Sequence, residues 1–254
     1  MKNSLLSLLF FPVLGFNNIK HQNPVTTAER TGTLKIRFIN TVKGEPIQLN
    51  TASYTNPFSE QYTISKFKYY ISNIGVAFPD GIFTEIDSYH LIDEADPSSL
   101  SFSFLTNADT YHSLLFMIGV DSIRNVSGAQ TGALDPLNDM FWTWNTGYVM
   151  AKMEGNSIRS KMVNNKIEFH IGGFSGADNV LKKIKLNFPQ GQSLEIRENK
   201  ISEIIIEADV DKWWQHPNDL KISDNAICTN PGPLAKKFAD NYSKMFTIKN
   251  VINN

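Results

Sequence analysis

Apolar and polar residues alternate along most of the chain after residue 33. In the first such segment Leu34, Ile36 and Phe38 share one face, a period of two that is typical of a β-strand. Turn signals such as Pro79-Asp80-Gly81 separate the segments. Further strands are predicted at residues 62–78, 82–86, 89–92, 101–105, 111–120, 166–171, 180–188, 194–197 and 201–210. Short strands joined by turns, with no helices between them, predict an all-β fold, an antiparallel β-sandwich.

The last part of the chain departs from this alternation. Leu234, Phe238, Tyr242 and Met245 recur at helical spacing directly after Pro231-Gly232-Pro233. Proline is tolerated at the start of a helix and not in its interior. The pattern therefore predicts one C-terminal α-helix packed on the sandwich.

The segment from Leu134 to Gly155 contains two of the four tryptophans. Alternation places Trp142 and Trp144 on one face of a strand, and we expect Glu154-Gly155 to turn the chain afterwards. Two indoles at this spacing bury a large shared surface, which fits either a core ridge or the wall of a binding site. The pattern alone leaves both readings open.

The N-terminus has the features of a secretory signal. Lys2 precedes an apolar stretch over residues 5–16, which has the length of a signal-peptide core and is too short for a transmembrane helix. We therefore predict a signal peptide at residues 1–20, a polar linker at 21–32 and a single domain at 33–254. The alternative is a buried N-terminal strand or helix. The signal reading predicts an exported protein without a transmembrane span.

Composition excludes several classes of function. The formal charge is −1 over 254 residues, so the chain lacks the positive net charge typical of nucleic-acid-binding domains. Cys228 is the single cysteine, so neither an intrachain disulfide nor a thiolate metal cluster can form. The glycine-rich loops of nucleotide enzymes and the H-E-x-x-H motif of zinc proteases are missing from the sequence. These observations predict that the protein is not an enzyme.

Among the five histidines, His170 has the most suggestive surroundings. Alternation places it on the same face as Glu168 and opposite Phe169, and Gly172-Gly173 would let another group approach the backbone closely. An imidazole on the polar face is a candidate metal ligand. A structural histidine that is satisfied by hydrogen bonds is the competing interpretation.

Several blocks occur in the order found in the MbnP-like family of exported bacterial proteins, which this chain resembles. The most specific is the W-x-W-x-x-G-Y block that contains Trp142 and Trp144. The blocks are residues 69–74, 80–81, 89–93, 116–122, 140–148, 169–172, 239–242 and 245–246. Together they resemble the branch of the family found in Bacteroidetes-type bacteria.

The resemblance implies a periplasmic or cell-surface β-sandwich that binds copper through histidines. In some members a partner dihaem peroxidase oxidises a tryptophan to kynurenine, which here would be Trp142 or Trp144. His170 matches the family's H-x-G position. The resemblance does not identify a second ligand, for which His90 is our first choice, ahead of His112, His216 and Met140.

Two departures from the family pattern accompany the resemblance. Another branch has a histidine where this chain has Val126, and that branch also carries four cysteines that are missing here.

The alternative function is a non-metal extracellular binding module on the same fold. In that case an exposed Trp213-Trp214 pair would stack on a carbohydrate or dock a protein partner.

Overall fold

The computed structural model describes residues 30–85, 87–128, 130–143 and 147–254. The predicted signal peptide and most of the predicted linker lie outside these residues, as does Trp144. Strand β1 begins at Thr31, two residues before the predicted start of the domain. The strands are β1 (Thr31–Val42), β2 (Glu45–Pro46), β3 (Ser53–Thr55), β4 (Gln61–Phe78), β5 (Gly81–Thr84), β6 (Tyr89–Asp93), β7 (Ser101–Asn107), β8 (Thr110–Tyr111), β9 (Ser113–Ile118), β10 (Phe141–Thr143), β11 (Gly147–Asn156), β12 (Lys166–Gly172), β13 (Lys182–Asn187), β14 (Leu194–Glu195), β15 (Ile201–Asp209), β16 (Ile227–Cys228) and β17 (Phe246–Ile252); the α-helices are α1 (Ser122–Asn125) and α2 (Pro233–Tyr242).

Two large sheets contain nearly all of these strands. The smaller has the order β17-β15-β1-β2, with β7 also paired to β1. The larger has the order β13-β9-β4-β11-β12-β16. The long strand β4 is its centre, because β3, β5 and β6 also pair with it, and β10 pairs with β11. Strands β8 and β14 form a separate pair.

The predicted all-β sandwich with a C-terminal helix is confirmed, but not every strand pair is antiparallel. Strand β1 pairs with β15 in parallel, from Thr33 opposite Ile201 to Thr41 opposite Asp209, and β12 pairs with β16 in parallel. A parallel pair cannot be closed by a short turn. The chain between β1 and β15 passes through every strand of the larger sheet except β16, so local alternation carried no information about this pairing.

The core lies where the inner faces of the two sheets meet. Phe38 of β1 packs edge-on against Tyr69 of β4, with ring centroids 6.0 Å apart. Phe246 of β17 contacts both of these rings and also Phe116 of β9. All four rings are buried. The inner face of β4 is therefore the floor on which the smaller sheet rests, and its outer face remains available for other contacts.

Helix α2 covers the inner side of the larger sheet near β12. Phe238 packs against Phe169 of β12 at 4.8 Å between ring centroids, and both side chains are fully buried. Neither helix in the described part of the chain has the length and apolar character needed to cross a bilayer.

The predicted exposure of Trp213 and Trp214 is wrong, because both side chains are fully buried. The Trp213 indole N–H points at Met245 Sδ at 3.4 Å, and the Trp214 indole N–H donates to the Tyr62 hydroxyl at 3.1 Å. Two adjacent indoles can both be buried here because a short 3-10 turn at Val210–Trp213 breaks the strand alternation. The pair is a core element, and it has no free face for a sugar ring.

Candidate metal centre

Three neighbouring strands bring charged side chains together on the outer face of the larger sheet. Strand β11 lies between β4 and β12, and the register aligns Lys68, Lys152 and His170 in one row. The next row contains Lys66, Glu154 and Glu168. Side chains at alternate positions share a face, so both rows project from the same side of the sheet.

His170 lies close to two carboxylates in these two rows. Its Nε2 atom is 2.9 Å from Glu154 Oε1 and 3.7 Å from Glu168 Oε1. Phe169 and Ile171, on the opposite face, are fully buried in the core, as the alternation predicted. Among the described residues these three side chains form the one group of at least three His, Cys, Asp or Glu residues whose ligand atoms lie within 4.8 Å of one another.

Burial determines the protonation state of the imidazole. Desolvation lowers the pKa of His170, and the positive charge of Lys152 acts in the same direction, while the hydrogen bond with Glu154 opposes them. The ring is therefore neutral at neutral pH, which is the form that binds a metal ion.

The carboxylate of Glu154 stays ionised beside it. Burial alone would raise the pKa of Glu154, but the hydrogen bond to His170 and the charge of Lys66 outweigh burial and lower it. A neutral imidazole nitrogen and an ionised carboxylate oxygen are thus held within hydrogen-bonding distance on the outer face of the sheet, where both side chains are partly exposed.

Lysines neutralise much of the negative charge around the group. Lys66 Nζ is 3.4 Å from Glu154 Oε2, and Lys166 Nζ is 3.0 Å from Glu168 Oε1. The nearly buried Lys152 pairs instead with Asp139, at 3.0 Å from its Oδ2, and also donates to the Asp139 carbonyl. The face is a network of ion pairs, in which Lys152 and Lys66 share the carboxylate of Asp139.

The indole of Trp142 lies against β12 at Gly172. Gly172 lies two residues after His170 on the same face of β12, and a Cβ added there would be 2.5 Å from Trp142 Cζ3. The ring is partly buried and packs against the core cluster. The expectation that a glycine near His170 admits a close neighbour thus has a specific partner, the indole of Trp142.

His90 is not brought near His170. Its Nε2 atom is 3.1 Å from Glu85 Oε2, and its ring stacks flat on Phe102 with centroids 3.5 Å apart. Strand β6 pairs with the edge of β4 opposite to β11, so β4 and β11 lie between the two histidines. Three strand spacings put about 14 Å between the two strands, and His90 is also displaced along its strand from Asp93, which lies in the row of His170. One ion cannot bind both rings in this arrangement.

Asn125 shows what the segment before Val126 does in this chain. Its side-chain amide donates to the Val120 carbonyl at 2.6 Å and accepts from the Tyr148 backbone N–H at 2.8 Å, and the residue is buried. It therefore fixes this loop to the start of β11. The neighbouring Val126 is 66% exposed, and its alkyl side chain has no donor atom for a metal ion.

Glu154 is the site residue that sequence reasoning missed. We expected a turn at Glu154-Gly155, but β11 runs on to Asn156 and the chain reverses over residues 157–165. The alternation of Tyr148, Met150 and Lys152 extends to Glu154, and this was the signal available. Placing Glu154 next to His170 also required the β11–β12 register, which depends on where the hairpin turns.

Comparisons with known proteins agree with this architecture. A search of the curated proteins found no match. Among solved structures, MbnP from Methylosinus trichosporium is similar, with a TM-score of 0.58 and 12% sequence identity. The match covers 86% of this chain and 98% of that one, and at this identity it shows a shared fold. The MbnP family model matches residues 31–230, so the chain belongs to the MbnP family.

Proposed function

We propose that this protein is an exported copper-binding protein that holds one copper ion with His170, Glu154 and Glu168. The observation that carries the proposal is the convergence of the imidazole and the two carboxylates within 4.8 Å. Membership of the MbnP family supports it, since the resemblance described above implies copper bound through histidine. The role is binding and carriage of the ion, with no catalytic step by the protein itself.

The donor set suits copper. Imidazole nitrogen and carboxylate oxygen are ligands of Cu(II), which stands at the top of the affinity order of divalent first-row metals. Binding has to displace Lys66 and Lys166 from the carboxylates, and their side chains are 35% and 49% exposed. Ion pairs this exposed contribute roughly 0–1 kcal/mol, so their loss opposes coordination only weakly. Without thiolates, we expect modest affinity.

Trp142 is the tryptophan that we propose for oxidation by a partner dihaem peroxidase. Its indole lies over Gly172, on the face that carries His170. An electron-rich ring beside a redox-active ion is a reasonable target for oxidation. Trp144, the other candidate, lies outside the described residues.

Export places the protein in the periplasm or on the cell surface. The basis is the charged and then apolar N-terminal segment. N-terminal sequencing of the protein from native cells should begin between Gly15 and Thr27. Recovery of the intact Met1 form in the cytosol would contradict export.

Copper titration of matched variants tests the centre. Wild type, His170→Ala and Glu154→Gln should be titrated at neutral pH, with binding followed by electron paramagnetic resonance. We expect wild type to bind one equivalent of copper. In His170→Ala the hyperfine coupling between Cu(II) and the imidazole nitrogen should be lost. Glu154→Gln should bind copper at least about tenfold more weakly.

His90→Ala and His112→Ala are the controls. His90 is hydrogen-bonded to Glu85, away from the candidate metal centre, and His112 is exposed. Both variants should therefore bind copper as wild type does. Equal binding by wild type and His170→Ala would refute the assignment. Binding by neither would favour the non-metal extracellular module, for which the buried Trp213-Trp214 pair is no longer an argument.

A further inference from the structure

In the loop between β11 and β12, residues 157–165, two serine side chains are buried and three apolar side chains are exposed. Ser157 and Ser160 are buried, with 4% and 6% of their surfaces exposed. Ile158, Met162 and Val163 are exposed to 75%, 42% and 82%. In an ordinary surface loop the serines would face water and the apolar side chains would pack inward. This hairpin tip does the opposite.

Hydrogen bonds of the two serines hold the loop in this form. The Ser157 hydroxyl donates to the Gln61 carbonyl at 2.5 Å, and the Ser160 hydroxyl donates to the Lys166 carbonyl at 2.6 Å. The same hydroxyls accept from the backbone N–H groups of Arg159 and Met162. The backbone is therefore fixed, and the apolar side chains are held outward before any partner arrives.

The tip is also positively charged. Residues 155–167 contain Arg159, Lys161 and Lys166 and no acidic residue, although the whole chain has a formal charge of −1. Lys166 pairs with Glu168, whereas Arg159 and Lys161 form no ion pair within the described part of the chain. Two free cations thus flank three exposed apolar side chains.

We infer that this hairpin tip docks on an anionic phospholipid surface, with Ile158, Met162 and Val163 entering the interface and Arg159 and Lys161 facing the headgroups. Exposed apolar groups flanked by cations bind such interfaces through both burial and charge. A stable protein interface buries about 800 Å² on each partner, more than three exposed side chains at a hairpin tip can supply. A lipid surface makes no such demand.

The contribution of each group sets the strength of binding. One cation near an anionic surface strengthens binding roughly fivefold, so Arg159 and Lys161 together account for about 25-fold at low salt. Binding should therefore be weak, reversible and sensitive to salt. Because His170 is four residues from Lys166 on β12, docking would hold the candidate metal centre within about 14 Å of the tip's base. The proposal itself does not depend on copper.

A dye attached at the tip tests the docking directly. Val163→Cys should be labelled with an environment-sensitive fluorophore in the protein recovered after export from its native cells. The native Cys228 is buried and its pKa is raised to about 11 by burial, so it competes poorly for the label. The matched control is Ile201→Cys, at an exposed apolar position on β15.

Vesicles of two parts phosphatidylcholine to one part phosphatidylglycerol should shift the emission of the label at position 163 to the blue. The label at position 201 should not respond, and pure phosphatidylcholine should give at least a tenfold weaker response. Adding Arg159→Ser and Lys161→Ser should remove most of the preference for anionic vesicles, and circular dichroism should be unchanged because these side chains are exposed.

Three results would overturn the proposal. The first is no shift at position 163 with anionic vesicles. The second is an equal shift at position 201, which would mean that the tip does not direct binding. The third is a shift of the same size with a soluble poly-glutamate peptide, which would identify an acidic protein segment as the occupant.

Discussion

The indole of Trp142 lies on the backbone of Gly172, and a Cβ at that glycine would be 2.5 Å from Trp142 Cζ3 and 2.8 Å from Cη2. This contact gives the H-x-G spacing a physical meaning. His170 and Gly172 share one face of β12, and the missing side chain at the second position is where the tryptophan rests.

Gly172→Ala should therefore destabilise the protein and displace the tryptophan. Real Cβ contacts do not approach this closely, so the ring or the strand must move, at a cost of about 1–3 kcal/mol in the free energy of unfolding. Urea denaturation measures the loss. Adding Trp142→Phe, whose ring does not reach as far, should recover part of it; a fully additive double variant would show that the contact is not the cause.

Copper binding should weaken with acid only below pH 6.5. Burial is the main reason why the pKa of His170 lies below its ordinary value of about 6.5. Protons therefore compete with the metal ion for His170 at a lower pH than they do for an exposed histidine. Titrations at successive pH values should show wild-type affinity nearly constant from pH 7.5 to about 6.5 and a steep fall towards pH 5. A fall centred above pH 6.5 would be inconsistent with a buried imidazole ligand.

Glu60 should contribute to stability through its ionised form. It is buried, and its carboxylate accepts from Asn56 Nδ2 at 2.8 Å and from the backbone N–H groups of Ile222 and Ser223 at 2.7 and 3.0 Å. Burial would raise the pKa of Glu60, but these hydrogen bonds outweigh it and hold the pKa below its ordinary value of about 4.5. A lowered carboxyl pKa adds stability above pH 4.5, which is lost as the pH falls through the folded-state value.

Glu60→Gln should consequently lower the free energy of unfolding at pH 7 by about 1–3 kcal/mol. The difference from wild type should shrink as the pH falls below 4.5, because wild type then loses the same charge. Denaturation curves at several pH values measure both effects. Glu45→Gln, at an exposed position, is the matched control and should change little. A difference independent of pH would point to packing instead of ionisation.

Any oxidised tryptophan in the native protein should lie in the peptide over residues 134–155. Trp213 and Trp214 are fully buried in the core, so neither water nor an external oxidant reaches them. Peptide mass spectrometry of the native protein locates the change, and deletion of the partner peroxidase should abolish it. Modification at Trp213 or Trp214 would contradict the assignment.

The amino-acid pattern was enough to place His170 correctly relative to its own strand. A period of two puts Glu168 and His170 on one face and the buried Phe169 and Ile171 on the other, since side-chain direction in a strand depends only on position. The exposure of Trp213-Trp214 that the binding-module alternative required was wrong, because burial of the pair follows from the local 3-10 turn and from the contact with Tyr62, far away in sequence.

Local periodicity was sufficient to predict the sandwich of short strands, the C-terminal helix and the polar face of β12. The choice of neighbouring strands depends on the folded chain as a whole. This choice placed Glu154 against His170, left β4 and β11 between His170 and His90, and paired β1 with β15 in parallel. Register and strand order are set by the whole sheet, since each strand is stabilised by partners that are often far along the chain.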